Sequence, residues 1–148
     1  MSKILIVYGS STGNTENIAR LITRGLSDAG HDVTLENAAD VKAAGLAKGY
    51  DAVLMGASVW GDTEIELQDD FDTFFEGVGE MGLENCRLAA FASGERGYEH
   101  FCGAVDVIEN RGRECGAILM TEGLRLEGDG SDSREEVAAF VEAVLQKL

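Results

Sequence analysis

Short apolar runs alternate with helix-period stripes along the 148 residues of the chain. The runs lie at 4–8, 33–35, 52–56, 88–92 and 118–120, and most are apolar at successive positions, as strands buried on both faces should be. Between them, Ile18, Leu21, Ile22 and Leu26 fall on one helical face, with Gly30 as a stop. Leu67, Phe71, Phe74, Phe75 and Val78 mark a second helix, Val105 and Ile108 a weaker third. Val137, Phe140, Val141, Val144, Leu145 and Leu148 mark a terminal one, and 40–47 reads as a short additional helix. Five strands separated by helices predict an α/β fold, a doubly wound parallel sheet with helices on both faces, because parallel neighbours need crossover connections. Neither repeat nor linker interrupts the pattern, so 1–148 is expected to be a single domain.

In such a sheet, ligands sit beyond the carboxyl ends of the strands. The turns there, 9–15, 57–66 and 93–102, hold most of the chain's distinctive residues. The first reads Gly9-Ser10-Ser11-Thr12-Gly13-Asn14-Thr15 and opens the first helix. Unpaired N–H groups and the positive end of the helix dipole favour an anion there, and the Ser, Thr and Asn side chains add donors. A triphosphate loop would need Lys where Asn14 stands, and no G-x-G-x-x-G dinucleotide pattern occurs. By itself the turn suits one small phosphate held by neutral donors, or no more than a well-capped helix.

Two large aromatics extend the picture. Trp60, the only tryptophan, follows the third apolar run in Ser58-Val59-Trp60-Gly61-Asp62, and Tyr98 lies in Ser93-Gly94-Glu95-Arg96-Gly97-Tyr98. Aromatic residues on neighbouring loops can hold a planar ring between them. Together with the phosphate turn they describe a site for a mononucleotide-like molecule with a flat head.

Charge narrows the partners. Twenty-seven acidic against 12 basic residues give a net charge of −15, which disfavours nucleic acid and anionic membranes and favours cationic partners. No apolar run approaches the ~20 residues of a membrane-spanning helix, and no signal-peptide pattern opens the chain, so a cytoplasmic protein is expected. Cys86, Cys102 and Cys115 form no paired motif and are expected to be free thiols. With His31 and His100 far apart in sequence, neither a metal site nor a Ser-His-Asp triad is expected.

The stretches 10–15 and 58–62, with Tyr98-Glu99-His100-Phe101-Cys102-Gly103-Ala104-Val105-Asp106, resemble flavodoxins, most closely the short-chain type of sulfate-reducing bacteria. The resemblance runs over essentially the whole chain. It implies strand order 2-1-3-4-5, and the passage from Met120 through Gly123 to Leu126 leaves no room for the long insertion of long-chain members. It also implies non-covalent FMN bound by a site running through Ser10, Ser11, Thr12, Gly13, Asn14 and Thr15, then Ser58, Val59, Trp60, Gly61 and Asp62, then Ser93, Gly94, Glu95, Tyr98, His100, Phe101 and Cys102. Within it, by the same resemblance, Ser10, Ser11, Thr12, Asn14, Thr15 and Ser58 would hold the phosphate. Trp60 and Tyr98 flank the isoalloxazine, and backbone groups of Gly61, Asp62, Glu95, His100 and Cys102 meet its polar edge. Val59, Glu95, Arg96-Gly97 and His100 depart from the family's usual residues, and backbone contacts tolerate such changes better than side-chain contacts do.

The implied activity is one-electron carriage at low potential between semiquinone and hydroquinone, by a monomer serving redox proteins with a basic face. Gly61 would let the Gly61–Asp62 peptide turn its carbonyl toward a flavin N5–H. Asp62, Glu64, Glu66, Asp69, Asp70, Asp72 and Glu76 would oppose an anionic flavin, each by roughly 0.4 kcal/mol at about 10 Å in water. An NAD(P)H-dependent FMN or quinone reductase on the same fold is the alternative, and it would need room for a nicotinamide over the flavin. A phospho-acceptor signalling module is a further rival, disfavoured because the first strand leads into hydroxyls and Asp51 precedes its strand.

Overall fold

The computed structural model describes residues 1–10, 13–60, 66–94 and 102–148, with side chains at all of these except 59, 60, 66 and 67. The elements run β1 (Lys3–Gly9), α1 (Asn14–Asp28), β2 (Asp32–Asn37), β3 (Ala52–Trp60), β4 (Glu66–Leu67), α2 (Asp69–Phe75), β5 (Arg87–Gly94), α3 (Ala104–Glu114), β6 (Ile118–Leu119), β7 (Leu124–Glu127) and α4 (Arg134–Gln146). The sheet order is β2-β1-β3-β5, with β6 and β7 both on the outer side of β5 and β4 antiparallel on the end of β3. Counted by position, this is the order 2-1-3-4-5, with β6 and β7 sharing the fifth place. Every pairing in the main sheet is parallel.

The period-two alternation of the strands divides the core into two layers. Ile4, Ile6, Leu54 and Phe91 face Ile18, Ile22 and Leu26 of α1 and Val137, Val141 and Val144 of α4. Leu5, Val7, Val53, Met55 and Leu88 face Phe71 and Phe74 of α2 and Val105 and Ile108 of α3. Large side chains buried this completely contribute about 1.5–3 kcal/mol each relative to exposure. The inner strands therefore read as continuous apolar runs. Gly56 is small for a packing reason: it pairs with Phe91 across β3 and β5, and a β-carbon there would overlap the Phe91 ring.

Helix α1 begins at Gly13, whose φ of 92° is left-handed, and its C-terminal turn closes at Gly30, φ 94°, with the Gly30 amide bonded to the Ser27 carbonyl at 2.9 Å. Helix α2 is shorter than its apolar stripe predicts. After Phe75 the chain tightens into a 3₁₀ turn at Val78–Glu80, which still buries Val78.

Two expectations need correction. The helix predicted over 40–47 does not form. A 3₁₀ turn at Ala38–Asp40, capped by Asn37 accepting the Ala39 amide at 2.9 Å, gives way to turns in which Gly45 and Gly49 take left-handed φ of 70° and 87°. Alanine-rich composition favours helix, but those glycines and a segment so short leave too little for it to propagate. The fifth strand, predicted at 118–120 only, resumes at β7. Ile118 faces Arg87 whereas Arg125 faces Ala92, so the outer chain gains two residues over its neighbour between the two pieces. An even number preserves facing, and Leu124 and Leu126 stay in the α1/α4 layer with Met120.

Candidate functional site

The switch in strand order falls between β1 and β3, and the carboxyl ends of β1, β3 and β5 finish almost level there: Gly9 pairs with Ala57, and Ser58 with Ser93. Gly9 is a close approach. A β-carbon at that position would run into the Gln68 amide and Phe71, because the start of α2 packs against the end of β1. Gln68, 2 % exposed, builds that start: its side-chain oxygen accepts the Phe71 amide at 3.0 Å and its backbone N–H donates to the Ser58 carbonyl at 3.0 Å. Gln68 does not stand out in the sequence. Its only signal was a polar residue directly before the Asp69-Asp70 start of the helix.

Past β1, Ser10 turns its hydroxyl back to accept the Gly13 amide at 3.0 Å, and the chain enters α1 at Asn14 and Thr15. Thr15 is wholly buried, and its Oγ1 lies 2.7 Å from Ser93 Oγ, with either atom able to donate. Register places Ser58 beside Ser93 on the same sheet face, so Ser58 neighbours the Thr15–Ser93 hydroxyl pair at the first turn of α1. If Ser93 donates, the Thr15 proton is left to point at a ligand. Residues 4–19 contain no Lys or Arg, and Arg20 is spent on Glu16 at 2.8 Å on the exposed side of the helix. The site therefore attracts an anion through the α1 dipole and neutral donors.

At the end of β3, the backbone of Val59 and Trp60 remains in strand and pairs with Leu67 and Glu66, forming a hairpin that returns the chain to α2. The first turn of α2 carries Asp69, Asp70 and Asp72, and no Lys or Arg occurs between 49 and 86. Beyond Ser93 and Gly94 at the end of β5, the described chain resumes at Cys102. Cys102 has φ 52°, is 1 % exposed, and places Sγ 3.5 Å from the carbonyl oxygens of Ala92 and Leu126.

The structure thus brings Ser10, Gly13, Asn14, Thr15, Ser58, Ser93, Gly94 and Cys102 to the carboxyl end of the sheet. Ser11, Thr12, Gly61, Asp62, Glu95, Tyr98, His100 and Phe101, with the side chains of Val59 and Trp60, lie outside the described residues, and so does the predicted aromatic slot. All three cysteines are free thiols. Among the described residues no group of three or more His, Cys, Asp or Glu is placed to hold a metal, and no helix is long and apolar enough to cross a membrane.

A doubly wound sheet of this order, with hydroxyl-rich loops gathered at its switch point, defines a flavodoxin-like α/β protein. Comparison with known proteins carries this further. The flavodoxin family model matches residues 6–141. The chain is 44% identical to a flavodoxin of Nitratidesulfovibrio vulgaris and 40% identical to one of Maridesulfovibrio salexigens, over 100% of both chains in each case. Among solved structures it resembles oxidised Flavodoxin 2 from Bacillus cereus, with a TM-score of 0.88 at 35% identity over 99% of this chain and 100% of the other. The chain belongs to the flavodoxin family. It is an electron carrier serving redox proteins, and not an enzyme with a substrate of its own.

Proposed function

We propose that the chain is a low-potential, one-electron carrier that works with non-covalently bound FMN. The observation that carries this reading is the cluster of Thr15, Ser93 and Ser58 under the N-terminus of α1, in a stretch with no cation. The donor chemistry fits a phosphate monoester, and the left-handed Gly13 opens the turn without side-chain bulk. Ser10, Asn14, Thr15 and Ser58, with Ser11 and Thr12, would hold the phosphate. Trp60 and Tyr98 would flank the ring, and backbone groups of Gly61, Asp62, Glu95, His100 and Cys102 would meet its polar edge. FMN supplies the electron transfer itself, taking up and releasing electrons singly.

The protein's part is to set the potential. Neutral phosphate donors keep cations away from the flavin, and Asp69, Asp70 and Asp72 on α2 add negative charge on the side of the Trp60 loop. Both act against the gain of a second negative charge, which supports a low second potential. The same acidic stretch favours partners with a basic docking face. A single unit acting in the cytoplasm is part of this reading.

A visible spectrum of the purified protein tests it. Flavin bands, release of FMN on denaturation, and a long-wavelength blue band on partial reduction are expected. A colourless preparation that takes up no added FMN refutes the cofactor, and steady NAD(P)H oxidation by the loaded protein refutes the carrier role in favour of a reductase.

A further inference from the structure

Arg125 ties the start of helix α3 to the outer strand. Arg125, on β7 opposite Ala92, donates through Nη2 to Asp106 Oδ1 at 2.7 Å and through Nη1 to Asp106 Oδ2 at 3.2 Å. The same Nη1 also donates to the Cys102 carbonyl at 3.1 Å, which accepts the Val105 amide at 3.1 Å as well. One guanidinium therefore binds both the turn that enters α3 and a carboxylate in the helix's first turn. A planar fork suits this double task, and an ammonium does not.

The turn it holds is unusual. Cys102 adopts φ 52°, a region that residues with side chains disfavour and that Gly or Asn would take more readily. Its thiol is enclosed by the ends of β5 and β7. Helix α3 starts at Gly103 without any side-chain cap. The conformation is thus imposed by the surroundings, and the Cys102 carbonyl is the atom through which Arg125 imposes it. Fixing that carbonyl fixes the direction of the Cys102 backbone.

We propose that Arg125 is a positioning residue for flavin binding: by clamping the Cys102 carbonyl against Asp106, it sets the left-handed turn that aims the Cys102 amide at the cofactor. The aim of that amide rests on the FMN reading above, whereas the clamp itself does not. Neither Arg125 nor Asp106 needs to touch the flavin. Arg111, on the same helix with only a 4.0 Å exposed contact to Glu114, offers the same charge without the clamp.

The test compares the full-length wild type with Arg125→Met, Arg125→Lys, Asp106→Asn and the charge-matched control Arg111→Met. FMN dissociation constants are measured on the folded proteins, and amide hydrogen exchange at Val105, whose acceptor is the clamped Cys102 carbonyl, is measured by NMR without FMN. Loss of hydrogen bonds to a charged group predicts about tenfold weaker FMN binding and about tenfold faster exchange at the Val105 amide in R125M. R125K is expected to recover little of either, R111M to match wild type within about twofold, and D106N to shift both readouts in the R125M direction by a few-fold. Full rescue by R125K, or wild-type exchange in R125M, overturns the clamp. Should R125M not fold, D106N decides, its carboxylate being half-exposed; wild-type values there overturn the proposal. A wild type that binds no FMN refutes the FMN reading, and the exchange measurements still decide the clamp.

Discussion

Replacing the buried hydroxyl pair under α1 gives a measurement whose sign structure can reason out in advance. Ser93→Ala removes the 2.7 Å bond to Thr15 and strands the Thr15 hydroxyl, which is wholly buried. The lost bond and the unsatisfied partner together cost about 1–3 kcal/mol. Thr15→Val keeps the shape and β-branching of the side chain, and it strands Ser93 in the same way. The double variant strands neither, so its cost should fall short of the sum of the singles by about 1–2 kcal/mol. In urea unfolding of the apoprotein, with a slope of roughly 2 kcal/mol/M, a 2 kcal/mol single loss moves the midpoint down by about 1 M. Additivity within about 0.5 kcal/mol would refute the pairing. Ser93→Ala should also weaken FMN, because the Thr15 hydroxyl loses the partner that orients it.

Three further outcomes are expected. Gly56→Ala pushes a β-carbon into the Phe91 ring and should cost about 1–3 kcal/mol, lowering the melting temperature by several degrees, with Phe91→Leu relieving part of the loss; a neutral Gly56→Ala contradicts the packing. Burial first, and the Asp51 carboxylate second, push the Cys86 thiol above its ordinary value. The folded state therefore holds that proton more tightly, so its contribution is complete below the unfolded thiol pKa of about 8.5 and is lost as pH rises through the folded value. Urea midpoints followed from pH 8 to 10 should fall more steeply in wild type than in Cys86→Ala. Association with a basic cytochrome should slow as ionic strength rises from about 0.01 to 0.5 M, and a flat dependence would remove the steering role of the acidic stretch.

What the sequence discloses follows from how local each signal is. The inner strands and helices α1 and α4 are legible because burial forces their pattern: Ile18, Ile22 and Leu26 cannot leave one helical face without leaving the core. The 40–47 segment misleads because alanines at 43, 44 and 47 satisfy a propensity rule, while Gly45 and Gly49 close turns instead. Strand β7 hides because Leu124 and Leu126 alternate with Arg125 and Glu127 over only four residues. In the site, the hydroxyl turn and its lack of cations are visible in the chain. The pairing of Thr15 with Ser93, 78 residues away, and the reach of Arg125 to Cys102, 23 away, depend on topology, and no local pattern encodes them.

The split outer strand offers a place to lengthen the protein. Strand β7 keeps its own register with β5, and Gly123 is anchored beside it, its amide donating to Glu109 at 3.1 Å and its α-carbon too close to Val105 for any side chain. Neither anchor depends on the span from β6. Loop closure adds only about 0.6 kcal/mol for each doubling in length, so extra residues placed between half-buried Thr121 and exposed Glu122 should leave both core layers undisturbed. A peptide tag, a fluorophore site or a whole guest domain grafted there would emerge at the sheet's outer edge, giving a tethering point for wiring this carrier to a chosen donor or to an electrode.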